Sequence, residues 1–210
     1  MDSQKKQKKL VVVQLTGGND YLNCIVPYNN PHYLDGRPSI RISQDEVIPI
    51  DNEIGFHPSM GPIKELYDQG NVAIIHGVGY SNPSRSHFRS MDIWHTCEPD
   101  KVATEGWLGR ALKEIDPNGE NVVGGVNFGS VLPRALAYPG VPIASVSDLE
   151  TYGLLTSLSD GSQRQKALEI FSRIYTPTIG SDWVVDYLGK TGINALRGTD
   201  ILKSAIGKYS

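Results

Sequence analysis

The stretch FHPSMGPIKELYDQGNVAIIHGVGYSNPSRSHFRSMDIWHT (Phe56–Thr96) decides the predicted fold. Met60, Ile63 and Leu66 fall on one face of a predicted helix. A nearly continuous apolar run follows at once, at Asn71–Gly79. Such a run without alternation is typical of a strand that is buried on both faces of a parallel sheet.

Upstream, the run KLVVVQLT (Lys9–Thr16) is the strongest strand prediction in the sequence. Strand, helix and strand in this order predict a parallel βαβ unit with a right-handed crossover. The residues between them, 28–59, are rich in Pro, Asn, Asp and Gly, and predict a long loop region with one short strand at Glu46–Ile50.

Downstream, apolar periodicity predicts helices at His87–Thr96 and Trp107–Ile115. Strand-like pieces follow in VVGGVNFG (122–129) and VPIASVS (141–147), and the pattern is helical from Ser162 onward, through QRQKALEIFSRIY, WVVDYLGK and ILKSAIGKY. The predicted class is α/β with a parallel sheet. No closing strand follows the last helix, so we expect the sheet to be incomplete.

The composition indicates an ordinary globular protein. Of 210 residues, 39% are hydrophobic and 20% charged, with a net charge of -3, which argues against disorder and gives no reason to expect nucleic acid as a partner. The lysines of residues 1–8 predict a solvated basic tail before a single domain over 9–210. No apolar run is long enough to predict a membrane span.

The first candidate site is GGND (17–20), at the end of the first predicted strand. Ligands of parallel α/β sheets bind beyond the carboxyl ends of the strands, and Asp20 offers a carboxylate suited to divalent metals. A glycine turn in which Asp20 caps neighbouring backbone amides explains the same residues. The sequence leaves both interpretations open.

The second candidate site is SNPSRSH (81–87), which leads into the helix predicted at His87. Arg85 can hold two oxygens of a phosphate or sulfate, and the amides at a helix N-terminus favour an anion. A serine here could act as a nucleophile, and His87 stands beside the serines. A simple helix cap by Ser84 or Ser86 explains the same pattern.

Four stretches resemble one protein family: GGNDYLNCIVPY, FHPSMGPIKELYDQGNVAIIHGVGY, NPSRSHFRSMDIWHT and GWLGRAL. It is the bacterial family catalogued as domain of unknown function 1501, which is placed in the alkaline phosphatase and sulfatase superfamily. The resemblance covers essentially the whole chain. It implies a three-layer α/β sandwich of the alkaline-phosphatase type with a mainly parallel sheet.

The resemblance also implies residue roles. Asp20 matches the aspartate with which the superfamily's first strand binds a divalent metal ion (Zn, Mn, Ca or Mg). Ser81-Asn82-Pro83-Ser84-Arg85 fits the sulfatase signature of Cys or Ser, any residue, Pro, Ser, Arg, which makes Ser81 the nucleophile position and Arg85 its anion partner. Ser84 and Ser86 remain alternative nucleophiles.

The implied function is metal-dependent hydrolysis of a small phosphate or sulfate ester by the intact protein. The alternative is a non-catalytic, exported binding protein that keeps the same fold. Later superfamily motifs, which resemble GFDTH and DHG and complete the metal site, do not occur here. We therefore expect the chain to be an N-terminal part that is inactive alone. Relatives often carry a twin-arginine export signal, which this N-terminus lacks, so the location stays open.

Overall fold

The computed structural model describes residues 8–17, 19–148, 160–175 and 182–206. It shows a mixed α/β protein whose chain divides into two compact units, residues 1–78 and 79–210. In the first unit the elements are α1 (Tyr21–Cys24), β1 (Ile25–Val26), α2 (Pro31–Gly36), β2 (Ile48–Pro49), β3 (Gly55–Phe56), a 3-10 turn (Pro58–Met60) and α3 (Gly61–Asp68). In the second they are α4 (His87–Thr96), α5 (Trp107–Ile115), β4 (Gly125–Phe128), a 3-10 turn (Arg134–Leu136), β5 (Ile143–Val146), α6 (Gly161–Tyr175) and α7 (Trp183–Ile206).

The first unit is built on a small antiparallel sheet in the order β1-β3-β2. Its core consists of Val26, Tyr28, Tyr33 and Val47, all buried. The Tyr28 hydroxyl donates to the backbone carbonyl of Asp51 at 2.6 Å. The segment 28–59 therefore contains a helix, two strands and buried side chains. The predicted loop region with one short strand thus also holds α2, β3 and the buried Tyr28, Tyr33 and Val47, whose spacing follows neither a helical nor a strand period.

The helix predicted after Phe56 is confirmed as the 3-10 turn and α3. The Phe56 ring, 1% exposed, meets the Tyr67 ring of α3 edge-on, with the ring centres 5.6 Å apart. This contact attaches α3 to the central strand of the sheet. The short strand predicted at Glu46–Ile50 is confirmed as β2.

In the second unit the predicted helices α4 and α5 are confirmed, each with the predicted ends. The strand pieces at 122–129 and 141–147 form β4 and β5, a parallel pair in which Gly125 lies opposite Ile143. The predicted helical region after Ser162 is confirmed in α6 and α7. WVVDYLGK and the start of ILKSAIGKY lie in the one helix α7, and residues 207–209 lie outside the described residues.

Helix α5 lies directly against the backbone of residues 134–137. A Cβ on Gly106 would stand 2.0 Å from the Arg134 carbonyl oxygen, and one on Gly109 would stand 2.8 Å from that of Ala137. Real Cβ atoms do not come this close to backbone oxygens, so both positions require glycine. The Gly106 N–H also donates to the Ala137 carbonyl at 2.8 Å.

Arginines connect α4 to this arrangement. Arg110 of α5 donates to the Thr96 carbonyl at the end of α4, at 2.7 Å. Arg134 forms an ion pair with Asp92 in the middle of α4, at 2.6 Å. The position of α4, and with it the start of the helix at His87, is therefore set by contacts with α5 and with the second 3-10 turn.

The strands predicted at Lys9–Thr16 and Val72–Gly79 are a wrong prediction, since neither segment pairs with a strand that the structure describes. Leu10, Val11, Val12 and Val13 are between 51% and 81% exposed. A segment with high β propensity forms a strand only where a neighbouring strand accepts its backbone hydrogen bonds and covers its side chains. Without that partner the apolar composition does not produce a strand, and the predicted βαβ unit is not formed.

The α/β class is confirmed, but the sheets differ from the prediction. The described strands form one parallel pair and one antiparallel sheet of three, whereas a mainly parallel sheet was predicted. The single domain over 9–210 stays a prediction. Among the described helices, none is both long and apolar enough to cross a membrane.

We predict that the exposed segment Leu10–Val13 makes the chain self-associate, because an unpaired apolar segment is a template for pairing with another chain. Val11→Lys should shift the sedimentation profile toward monomer and reduce binding of the dye ANS. Val102→Lys is the matched control, since Val102 is 78% exposed and Val11 81%, but Val102 lies outside any apolar run. Equal effects of the two substitutions, or none, would contradict the prediction.

Candidate functional site

Asp20 has a structural role at the start of α1. It is the N-cap residue, with an extended backbone, and its Oδ1 accepts a hydrogen bond from the Leu22 N–H at 3.0 Å. An aspartate in this position satisfies a backbone donor that a helix start leaves without a partner. Of the two interpretations that the sequence left open for Asp20, the structure shows the amide cap.

The second Asp20 oxygen, Oδ2, forms an ion pair with the Arg37 guanidinium. Arg37 also points to the Asn23 Oδ1 at 3.4 Å and lies over the Tyr33 ring, 5.7 Å from its centre. The hydrogen bond from Arg37 lowers the pKa of Asp20 below its ordinary value of 3.8; burial opposes this, and the Leu22 amide adds to the lowering. The carboxylate is thus ionised, and both its oxygens are engaged.

Asp20 in this geometry does not fit the metal ion that the resemblance implies. A divalent cation takes several oxygen or nitrogen ligands at once. No group of three or more His, Cys, Asp or Glu side chains suited to a metal occurs in the part of the chain that the structure describes. The one predicted ligand is already bound to a cation, Arg37. These contacts argue against a metal ion at Asp20, and the divalent metal itself stays a proposal.

In the loop 81–87 two of the predicted serines organise the start of α4. Ser86 is the N-cap, and its Oγ accepts from the Arg89 N–H at 3.3 Å. Ser84 accepts from the Ser86 N–H at 3.2 Å, and its carbonyl accepts from the Ser90 hydroxyl at 2.9 Å. Both hydroxyls therefore serve the local fold, as the capping interpretation predicted.

Ser81, Arg85 and His87 are the predicted site residues that this local network does not use. All three side chains are exposed, and none forms a hydrogen bond or ion pair with a described residue. Asn82, next to Ser81, has a left-handed backbone with φ of 53°. The loop presents a hydroxyl, a guanidinium and an imidazole at the N-terminus of α4.

Arg85 differs from the other arginines between residues 8 and 148. Each of the others binds a carboxylate or a backbone carbonyl: Arg37, Arg41, Arg89, Arg110 and Arg134. Within the same range Arg85 alone has no such partner among the residues that the structure describes. Its guanidinium remains available for an anion from solution.

Asp20 belongs to the first unit and the loop 81–87 to the second, and their convergence on one site stays a prediction. Sequence reasoning missed Arg37, which lies 17 positions from Asp20 within the presumed loop. No period or motif links the two residues. The only available signal was an acidic residue after a predicted strand and a basic residue in the following segment.

We predict different roles for two serines of the loop. Ser86→Ala should lower the free energy of unfolding by about 1 kcal/mol, because it removes the N-cap of α4. Ser81→Ala should leave stability unchanged, since the Ser81 side chain binds no described residue. Urea unfolding followed by circular dichroism measures both. A loss in Ser81→Ala as large as that in Ser86→Ala would contradict this assignment.

No family model, curated protein or solved structure matches the chain. The resemblance to the alkaline phosphatase and sulfatase superfamily therefore rests on the sequence motifs alone. The exposed residues of the loop 81–87 and the surroundings of Asp20 are the structural features that bear on function.

Proposed function

We propose that the chain belongs to a hydrolase of small phosphate or sulfate esters and carries the part of its site that binds the anion. The observation that supports this is the unpaired, exposed Arg85, which precedes the N-cap of α4 in the same short loop as Ser81 and His87. A guanidinium matches two oxygens of a phosphate or sulfate, and the first backbone amides of α4 add partial positive charge. The substrate class follows from this chemistry.

In the proposed reaction the Ser81 hydroxyl is the nucleophile. Its oxygen attacks phosphorus or sulfur in line, the bond to the alcohol oxygen of the ester breaks, and the serine proton ends on the departing alcohol. Water then hydrolyses the resulting ester of Ser81, which releases phosphate or sulfate and restores the hydroxyl. Arg85 and the α4 amides stabilise the negative charge on the non-bridging oxygens. His87, exposed at the first position of α4, is the proposed further contact to the anion. Ser84 and Ser86 are weaker candidates for the nucleophile, because their hydroxyls accept backbone hydrogen bonds.

The metal and the superfamily fold belong to the same proposal. A divalent ion (Zn, Mn, Ca or Mg) would lower the pKa of the attacking hydroxyl, but the described residues offer it no fitting site. The alkaline-phosphatase-like sandwich remains a proposal, although Lys9–Thr16 and Val72–Gly79 pair with none of the described strands. The parallel pair β4 and β5 supports an α/β parent of this kind.

The alternative is a non-catalytic, exported binding protein with the same fold, using residues 28–59 to hold a partner or glycan. One observation favours it. The segment 28–59 contributes Tyr28, Tyr33 and Val47 to a buried core, so it presents a fixed surface instead of a loose loop. The two functions differ in the expected effect of substitutions: changes at Arg85 and Ser81 impair the hydrolase but leave the binding protein unaffected.

We predict that Arg85 dominates anion binding. Arg85→Gln should weaken binding of sulfate and inorganic phosphate at least about tenfold, since a charge-assisted hydrogen bond contributes roughly 1.5–3 kcal/mol. Arg173→Gln, which removes an exposed arginine from α6 of the same unit, is the matched control. Isothermal titration gives the affinities, and amide NMR shifts at 81–88 locate the site. Equal losses in both variants would favour the alternative function.

We also predict negligible turnover of aryl phosphates and aryl sulfates by the 210-residue chain, with or without added Zn²⁺ or Mn²⁺. The reason is that one carboxylate already paired with Arg37 does not assemble a metal site. Wild type, Asp20→Ala and Ser81→Ala are compared. Metal-dependent turnover that Asp20→Ala abolishes would show a complete site within this chain and contradict the expectation that it is one part of an enzyme.

A further inference from the structure

The Asp20 carboxylate has a complete set of partners without a metal ion. Oδ1 accepts from the Leu22 N–H at 3.0 Å, and Oδ2 is bound by Arg37. We propose that Arg37 is the built-in cation of Asp20 and excludes divalent metal ions from this carboxylate. The inference concerns the first unit alone and holds whether or not the loop 81–87 binds an anion.

Arg37 is held in place and does not swing freely as surface lysines and arginines often do. Its side chain is 20% exposed, and its backbone is fixed as the residue that ends α2. The guanidinium lies over the ring of Tyr33, which is 5% exposed. The Tyr33 hydroxyl in turn accepts from the Ile42 N–H at 2.9 Å. The cation is therefore preorganised beside Asp20 by the core of the unit.

This arrangement opposes a metal ion in two ways. A divalent cation at Asp20 would have to displace the guanidinium, which would keep only the long contact to Asn23 at 3.4 Å and its place over the Tyr33 ring. Displacement would break the ion pair between Arg37 and Asp20. If the guanidinium stayed, it would repel the incoming cation at short range. Metal binding at Asp20 thus requires Arg37 to move. Metal binding would therefore be coupled to the contact between α1 and the end of α2.

The test is Mn²⁺ binding, measured from the electron paramagnetic resonance signal of free Mn²⁺. Arg37→Gln should tighten binding about fivefold, the equivalent of roughly 1 kcal/mol for a solvent-accessible ion pair. Arg41→Gln is the matched control, because it removes the same charge from a guanidinium that donates to the Leu34 carbonyl. The double variant Asp20→Asn/Arg37→Gln should lose the gain.

A measurement on the wild type covers the case in which Arg37→Gln does not fold. The Arg37 Nε–Hε NMR signal is expected to stay unchanged in millimolar Mg²⁺, because the ion pair persists. Mg²⁺-dependent displacement of this signal, unchanged Mn²⁺ affinity in a folded Arg37→Gln, or a gain that survives Asp20→Asn would each overturn the proposal. Failure of the proposed hydrolytic function would instead appear at Arg85 and Ser81, in the other unit.

Discussion

The second unit depends on the close approach of α5 to the backbone of residues 134–137. Gly106 and Gly109 make this possible, since a Cβ at either position would stand 2.0–2.8 Å from a carbonyl oxygen of that segment. The approach brings Arg110 within reach of the Thr96 carbonyl and is accompanied by the ion pair of Arg134 with Asp92. Helix α4 is thereby fixed at its middle and at its C-terminal end.

These contacts do not involve the N-terminus of α4, which is capped by residues of the loop 81–87. There Ser84 and Ser86 satisfy backbone groups, while Ser81, Arg85 and His87 face solvent. Structural and chemical roles are thus divided among neighbouring residues of one short loop. An exposed arginine at a helix N-terminus, in a region whose other arginines are all engaged, is the feature on which the proposed anion binding rests.

Charge pairing decides the state of Asp20. A carboxylate near a preorganised guanidinium forms the ion pair that is already at hand, and Arg37 is preorganised by the Tyr33 ring and the buried core around it. The aspartate that resembles a metal ligand by its place in the sequence is therefore a cap and an ion-pair partner in the folded chain. The place of Asp20 in the motif makes metal binding chemically possible, but its neighbours Leu22 and Arg37 determine that the carboxylate caps α1 and forms an ion pair.

The sequence by itself determined the elements whose signals are local. Helices α4 and α5 were predicted with both ends, because helical periodicity and capping lie within a few residues of one another. Ser81, Arg85 and His87 were predicted as site residues from the sequence; the structure shows that they are exposed, and their role stays a prediction. Only the tertiary structure decided the rest. The strand predicted at Lys9–Thr16 is absent because a strand is stabilised by a partner that its own residues do not encode. The pairing of Asp20 with Arg37 spans 17 positions, and the choice among three serines depends on backbone donors that only the folded loop brings within hydrogen-bonding distance.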